Sequence, residues 1–165
     1  MDQKGVSPMI ATIVLIAIVF AVAAILALSL ASAPQPSVIF SGQLTLENLQ
    51  SGRDVIVIKH TYGERAINAV EIVKLDNGDN IAVLKNLELR VNGVIENKVI
   101  YLVSEGKWEN LENQLDLGKK IGKTYALVVG DIVKVKLSKS LAVGDTVLLK
   151  WVPKDQSLVE KTITY

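Results

Sequence analysis

The sequence has no cysteine, one histidine and few aromatic residues, which make up 5% of its 165 positions. Without cysteine there is no disulfide framework, thiolate nucleophile or Cys-ligated metal site. A single histidine leaves little material for His-based metal binding or acid–base catalysis. The 18 basic and 17 acidic residues nearly cancel, so the basic footprint of a nucleic-acid-binding protein is missing. We therefore predict no enzymatic activity, no cofactor and no nucleic-acid partner.

Charge is also missing from most of the N-terminal part. Only Asp2 and Lys4 are charged before Glu47, and the run from Met9 to Ala33 contains no charged residue, glycine or proline. At about 1.5 Å per residue, a helix of this length would cross a hydrocarbon core of roughly 30 Å. Its side chains are apolar all round, so we expect it to be buried in lipid or among similar helices.

The flanks of this run predict where the helix begins and ends. Ser7 is a candidate N-cap, and Pro8 suits the first helical position because its missing N–H would have no partner there. Pro34 and Pro36 stop the helix, so 34–37 is predicted to be a linker. The single Lys4 before the run favours a cytoplasmic N-terminus with the rest of the chain outside.

Three interpretations of the apolar run remain open on these features. In the first interpretation, the run is a permanent single-pass anchor for an extracellular β-domain that binds a partner as a monomer. In the second, it is a conventional secretory signal that is cut at Ala31-Ser32-Ala33. The run far exceeds the usual h-region of about 7–15 residues, which argues against a secretory signal. The third interpretation depends on the residues before the run.

The segment Lys4-Gly5-Val6-Ser7-Pro8, followed by more than twenty apolar residues, resembles the start of the archaeal type IV pilins. The resemblance implies that a prepilin peptidase cuts between Gly5 and Val6, which removes leader 1–5 and retains helix 6–33. The fifth mature position would then be Ile10, and an apolar residue there is typical of the archaeal branch. The archaellum (swimming filament) subunit is a close relative with the same kind of helix.

This resemblance implies a structural subunit of an adhesive pilus at the cell surface. The precursor would span the membrane once, and the subunits would then polymerise into a helical filament for attachment to surfaces or cells. A cytoplasmic assembly ATPase and a polytopic membrane platform would be further partners. Small residues in the helix would let neighbouring copies approach closely. We expect the helical assembly core to include Met9, Ile10, Ile13, Val14, Ile16, Ala17, Phe20, Ala21, Ala24 and Leu28.

Residues 38–165 have the size of one domain, and their short Val, Ile and Leu runs between Gly, Asn and Asp residues predict strands. The overall fold class is therefore α+β, a long N-terminal hydrophobic helix followed by an antiparallel β-sandwich head domain. The pilin resemblance implies an immunoglobulin-like sandwich. Asn77-Gly78 and Asn92-Gly93 predict hairpin turns. The predicted strands are Val38–Leu46, Asp54–His60, Ala69–Lys74, Ile81–Leu84, Leu87–Val91, Val94–Val103, Tyr125–Val129, Ile132–Leu137, Thr146–Val152 and Leu158–Thr164.

Candidate chemistry within the head is sparse. Asp76 and Asp79 supply oxygens that Ca²⁺ prefers, but the twelfth position of an EF-hand would be Leu87 instead of Glu, so a solvated turn is favoured. The polar segment 60–65, which begins with His60, is interpreted as a surface loop.

Other head features have structural interpretations. Gly106 and 117–123 are also interpreted as surface loops. Trp151 is predicted to lie in the core and Trp108 at the surface. Val129-Gly130-Asp131 and Val143-Gly144-Asp145 are interpreted as one recurring turn.

Overall fold

The computed structural model describes the helix backbone Pro8–Ala31 and residues 40–165, with helix side chains described from Ile10 to Ile25. The chain divides into two compact units, Met1–Ser37 and Val38–Tyr165. The first contains one N-terminal helix, and the second is built mostly from antiparallel strands. The predicted α+β class is confirmed at this level.

The element bounds follow the Val- and Ile-rich runs of the sequence. The N-terminal helix α1 begins at Pro8, as predicted from its lack of an N–H. The elements are α1 (Pro8–Ala31), β1 (Gln43–Glu47), β2 (Val55–Tyr62), β3 (Ala66–Lys74), β4 (Asn80–Leu84), β5 (Leu87–Val91), β6 (Val94–Glu96), β7 (Lys98–Ser104), β8 (Lys107–Asn110), α2 (Gln114–Gly118), β9 (Thr124–Leu127), β10 (Ile132–Lys136), β11 (Thr146–Trp151) and β12 (Gln156–Thr162).

The strands form two antiparallel sheets. The larger sheet has the order β1-β2-β10-β7-β4-β3-β9, with β8 paired to the far end of β7, and the smaller has the order β12-β11-β5-β6. The chain passes from the larger sheet to the smaller between β4 and β5, returns between β6 and β7, and crosses again between β10 and β11. These repeated crossings are compatible with a β-sandwich.

Both sheets contribute to one hydrophobic core. Strands β2, β10 and β11 alternate regularly between buried and partly exposed residues, which is the pattern of a strand with one face on a core. Ile58 and Val133 of the larger sheet and Leu149 of the smaller sheet are fully buried in the same cluster. The head therefore has a continuous interior formed by residues far apart in the sequence.

One strand prediction and two loop predictions need correction. The predicted strand Val94–Val103 is wrong, because the chain breaks at Asn97 into β6 and β7, which belong to different sheets. The carbonyl of Asn97 accepts a hydrogen bond from the Leu84 N–H at 3.0 Å, which continues the antiparallel pairing of β4 with β7 by one position.

The predicted loop around Gly106 is a tight turn that leads into β8. The predicted loop 117–123 begins inside helix α2, where Leu117 is buried.

The turn 128–131 is held by a buried carboxylate. Gly130 adopts a φ of +96°, its N–H donates to the His60 carbonyl at 2.8 Å, and the His60 N–H donates back to the Asp131 carbonyl at 3.0 Å. One oxygen of the Asp131 side chain accepts the N–H groups of Val128 and Glu105, both at 2.8 Å. Asp131 is only 2% exposed, so this carboxylate joins two loops inside the head.

The turn 142–145 repeats this hydrogen-bonding pattern at the surface. Gly144 has a φ of +93° and exchanges backbone hydrogen bonds with Ile163 in the same way, through the N–H of Gly144 and the carbonyl of Asp145. The Asp145 carboxylate accepts the Ala142 N–H at 2.7 Å and the Asn92 amide at 2.7 Å. These two bonds hold the pKa of Asp145 below its ordinary value. The predicted recurring turn is confirmed.

Phe40 is the first head residue that the structure describes, and its ring is already inside the core. It stacks on Trp151 with ring centroids 5.0 Å apart and meets the edge of His60 at 5.9 Å. Gly42 leaves room for this ring, because a Cβ at position 42 would overlap it. Gly63, with a φ of +94°, lies directly against the backbone of Gly42.

Candidate functional site

The strongest candidate for an interaction site is the surface of α1. Ten large apolar side chains between Ile10 and Ile25 are 49–72% exposed in the single chain. At about 100° per residue their positions are distributed around the whole circumference, so no polar side faces water. Exposed apolar surface on this scale marks a site that binds another protein or a membrane.

Eight of the predicted assembly-core residues lie in this described stretch, and all eight are exposed. They are Ile10, Ile13, Val14, Ile16, Ala17, Phe20, Ala21 and Ala24. The side chains of Met9 and Leu28, the predicted cleavage residues Gly5 and Val6, and the predicted linker 34–37 lie outside the described residues. Among the residues that the structure describes, no helix is both long enough and apolar enough to span a membrane.

The Asp76–Asn80 segment forms the solvated hairpin turn predicted between β3 and β4. The Asn77 amide donates to the Asp79 carboxylate at 2.9 Å, and the Asp79 N–H donates to the Asn77 side-chain oxygen at 3.1 Å. The Gly78 N–H closes the turn on the Leu75 carbonyl at 2.9 Å. One Asp79 oxygen is therefore occupied within the turn. Nowhere in the described ranges do three or more His, Asp or Glu side chains form a group that could hold a metal ion.

The interpretation of His60 as a surface-loop residue is wrong. His60 belongs to β2, which continues to Tyr62, and its fully buried ring meets the ring of Phe40 edge-on. Its Nε2 lies 2.7 Å from the Glu64 carbonyl, and its Nδ1 is buried without a hydrogen-bond partner.

The two tryptophans lie where the sequence predicts. Trp151 is 1% exposed and lies in the core beside Phe40. Trp108 is 70% exposed on β8, opposite Val103 in the antiparallel pairing. A short strand therefore presents the tryptophan at the solvent face of the larger sheet.

A polar cluster between β8 and β9 was not apparent in the sequence. One oxygen of Glu109 accepts hydrogen bonds from Lys120 and from the Tyr125 hydroxyl, both at 2.8 Å. Burial alone would raise the pKa of Glu109, but these two donors lower it overall. Burial and the neighbouring carboxylate both raise the pKa of Tyr125. Because the three groups satisfy one another, the cluster fastens β9 and the turn that follows α2 to β8.

The sequence offered no signal for this cluster. Its members are separated by 11 and 16 residues, and only the fold brings them together. No protein-family model matches the chain, and no curated protein shows significant similarity to it.

Proposed function

We propose that this chain is a filament subunit of the archaeal type IV pilin kind, which polymerises through α1 and displays its head at the cell surface. The observation that carries the proposal is the exposed apolar surface around α1, together with the Lys4–Pro8 segment that precedes it. A surface that is apolar on every side has no stable arrangement in water as a single copy. Packing among identical helices covers it without any further partner.

The head supports the same proposal in its general build. Two antiparallel sheets over one core are the arrangement expected of an immunoglobulin-like sandwich. In this proposal the precursor is held in the membrane by the α1 segment before assembly, and the heads then coat the helical core and contact the medium. Adhesion follows from the repeated display of the heads.

The first test is the N-terminal residue of the protein recovered from native cells. Mass spectrometry of sheared surface material should find chains that begin at Val6, with a precursor in membranes that still carries residues 1–5. Gly5→Leu should block this processing and keep the uncut chain in the membrane. Chains that begin at Met1 and occur only in membranes would contradict the proposal and support a monomeric anchored domain.

A second test places a charge on the helix surface. Ile16→Glu should abolish filaments, because a carboxylate among packed apolar helices would be buried without a partner. Val94→Glu is the matched control, since Val94 is a 61% exposed aliphatic residue on the head. We expect the control to assemble normally. Normal filaments from Ile16→Glu, seen by electron microscopy of sheared material, would refute the role of α1.

A further inference from the structure

We propose that neighbouring heads in the filament bind each other through two different surfaces of the same chain. This inference rests on the proposed filament function. One surface, the basic aromatic face, lies on the solvent side of the larger sheet. The other, the acidic leucine knob, lies on and beside α2. The basic aromatic face comprises Lys59, Tyr101, Trp108, Ile132 and Lys134. The acidic leucine knob comprises Glu112, Leu115 and Asp116.

Strand register brings the basic aromatic face together. Ile132 of β10 is paired with Lys59 of β2 on one side and with Val103 of β7 on the other, and Val103 is paired with Trp108. These side chains form one row across four strands. Lys134 and Tyr101 form part of the next row on the same side.

The opposite side of the same strands faces the core. Leu102, Val133 and Ile58, which alternate with the residues of this face, are all fully buried. The side chains of the two rows therefore point to solvent.

The face combines aromatic surface with positive charge. Trp108 is 70% exposed, and the Lys134 ammonium lies 4.7 Å above the ring of Tyr101. Within residues 40–165 neither Lys59 nor Lys134 makes an ion pair, whereas Lys136 of the same strand is paired with Asp54. Tryptophan and tyrosine are the residues most often found at the energetic centre of protein interfaces.

The acidic leucine knob is held in place by two contacts of α2. The Asn113 side chain accepts the Leu115 N–H at 3.1 Å, and Leu117 is buried in the head. With Leu117 turned inward, Leu115 is left 84% exposed. Its position is therefore defined by the fold, although the side chain itself is in water.

Two unpaired carboxylates accompany Leu115. Glu112 and Asp116 are exposed, and neither makes an ion pair in the described part of the head. Of the cations nearby, Lys120 is already paired with Glu109. An apolar side chain with acidic neighbours complements an aromatic surface with basic neighbours.

A second copy of the chain is the occupant that explains both surfaces together. Leu115 would pack on Trp108 and Ile132, while Glu112 and Asp116 would approach Lys59 and Lys134. Contact between unlike surfaces is heterologous, and such contacts generate an open helix when the rotation does not close. An acidic polysaccharide would fit the basic aromatic face alone and would leave Leu115 exposed.

The absence of cysteine provides a direct test in the full-length chain. Trp108→Cys combined with Leu115→Cys introduces the only two thiols, and a disulfide requires Cα atoms within about 7 Å. Mild oxidation of isolated filaments should give a ladder of covalent oligomers on a denaturing gel. Neither single variant should give a ladder of covalent oligomers. The control pair, Leu115→Cys with Val94→Cys, should give none either. Filaments of normal appearance that yield no ladder from the first pair would overturn the inference while leaving the filament function intact.

A charge exchange tests the same contact without cysteine. Lys134→Glu and Asp116→Lys should each lower the temperature at which filaments dissociate, because each puts like charges together. The double variant should restore it, since the charge pair is re-formed with opposite polarity. If the double variant lowered the dissociation temperature by the sum of the two single effects, the inference would be overturned. It would also be overturned if an acidic polysaccharide raised the dissociation temperature of wild-type filaments while the double variant restored nothing. Absence of filaments from the wild-type chain would instead count against the filament function itself.

Discussion

Replacement of Asp131 by alanine should destabilise the head strongly, because it removes a buried carboxylate that accepts two short, partly buried hydrogen bonds. The Asp131 carboxylate accepts from Val128 and Glu105 at 2.8 Å each, and more weakly from Gly106 at 3.5 Å. A hydrogen bond to a charged group contributes about 1.5–3 kcal/mol, so the loss of the two short bonds predicts a decrease of about 3–6 kcal/mol in the free energy of unfolding. A typical domain has a total stability of about 5–15 kcal/mol, so this single change removes a large part of it.

The repeated turn provides a matched control for this prediction. Asp145 makes the same kind of hydrogen bond to Ala142, but at the surface, where water replaces a lost acceptor. Asp145→Ala should therefore cost only about 0.5–1.5 kcal/mol. The free energy of unfolding of Asp131→Asn should lie between those of the two alanine variants, because the amide oxygen still accepts both short hydrogen bonds but carries no charge.

The measurement is urea unfolding of residues 38–165, followed by the fluorescence of buried Trp151, with the free energy obtained by linear extrapolation. Equal m-values among the variants would show that only stability has changed. If Asp131→Ala lowered the free energy of unfolding no more than Asp145→Ala, burial of the Asp131 carboxylate would not explain its contribution to stability. That result would refute the reasoning.

Two further predictions concern the backbone and the alkaline limit of stability. Gly63→Ala should lower the free energy of unfolding more than Gly52→Ala in the same urea experiment. Both glycines have positive φ, which strains an alanine by about 1–2 kcal/mol. Of the two, Gly63 alone would also place the new Cβ 2.6 Å from backbone atoms. Equal costs would contradict this. Burial and Glu109 raise the pKa of Tyr125, so the stability that its neutral hydroxyl contributes is complete below pH about 10 and is lost as the pH rises above that value. Tyr125→Phe should reduce the alkaline loss of stability in a pH series of unfolding midpoints, and an unchanged slope would count against this role.

Local signals in the sequence were sufficient for several elements of the fold. Asn92 and Gly93 both adopt positive φ, +50° and +81°, in the two-residue turn between β5 and β6. Such turns depend on the conformational range of two residues, which composition reveals directly. Pro8 marks the start of α1 for the same kind of reason. The exposed apolar surface of α1 also follows from the order of residues alone.

The remaining features depend on contacts between distant parts of the chain. The run 94–103 reads as one strand, and only the partners that each half finds divide it between two sheets. His60 is both the last residue of the predicted strand Asp54–His60 and the first of a predicted polar loop, and the ring contact with Phe40 that accompanies its burial is not visible in the sequence. The short helix α2 is too brief to show a period, and a single buried leucine holds it in place. The basic aromatic face exists only through strand register.

The anchoring of Phe40 has a mechanical consequence for the head. A pulling force applied to the backbone from the N-terminal side acts on Phe40, whose ring packs against Trp151 and His60. The head yields at this point only when the ring leaves its packed position beside Trp151 and His60, so these aromatic contacts must break before β1 separates from β2. Side-chain packing at the start of the head therefore resists a pulling force in addition to the hydrogen bonds between strands.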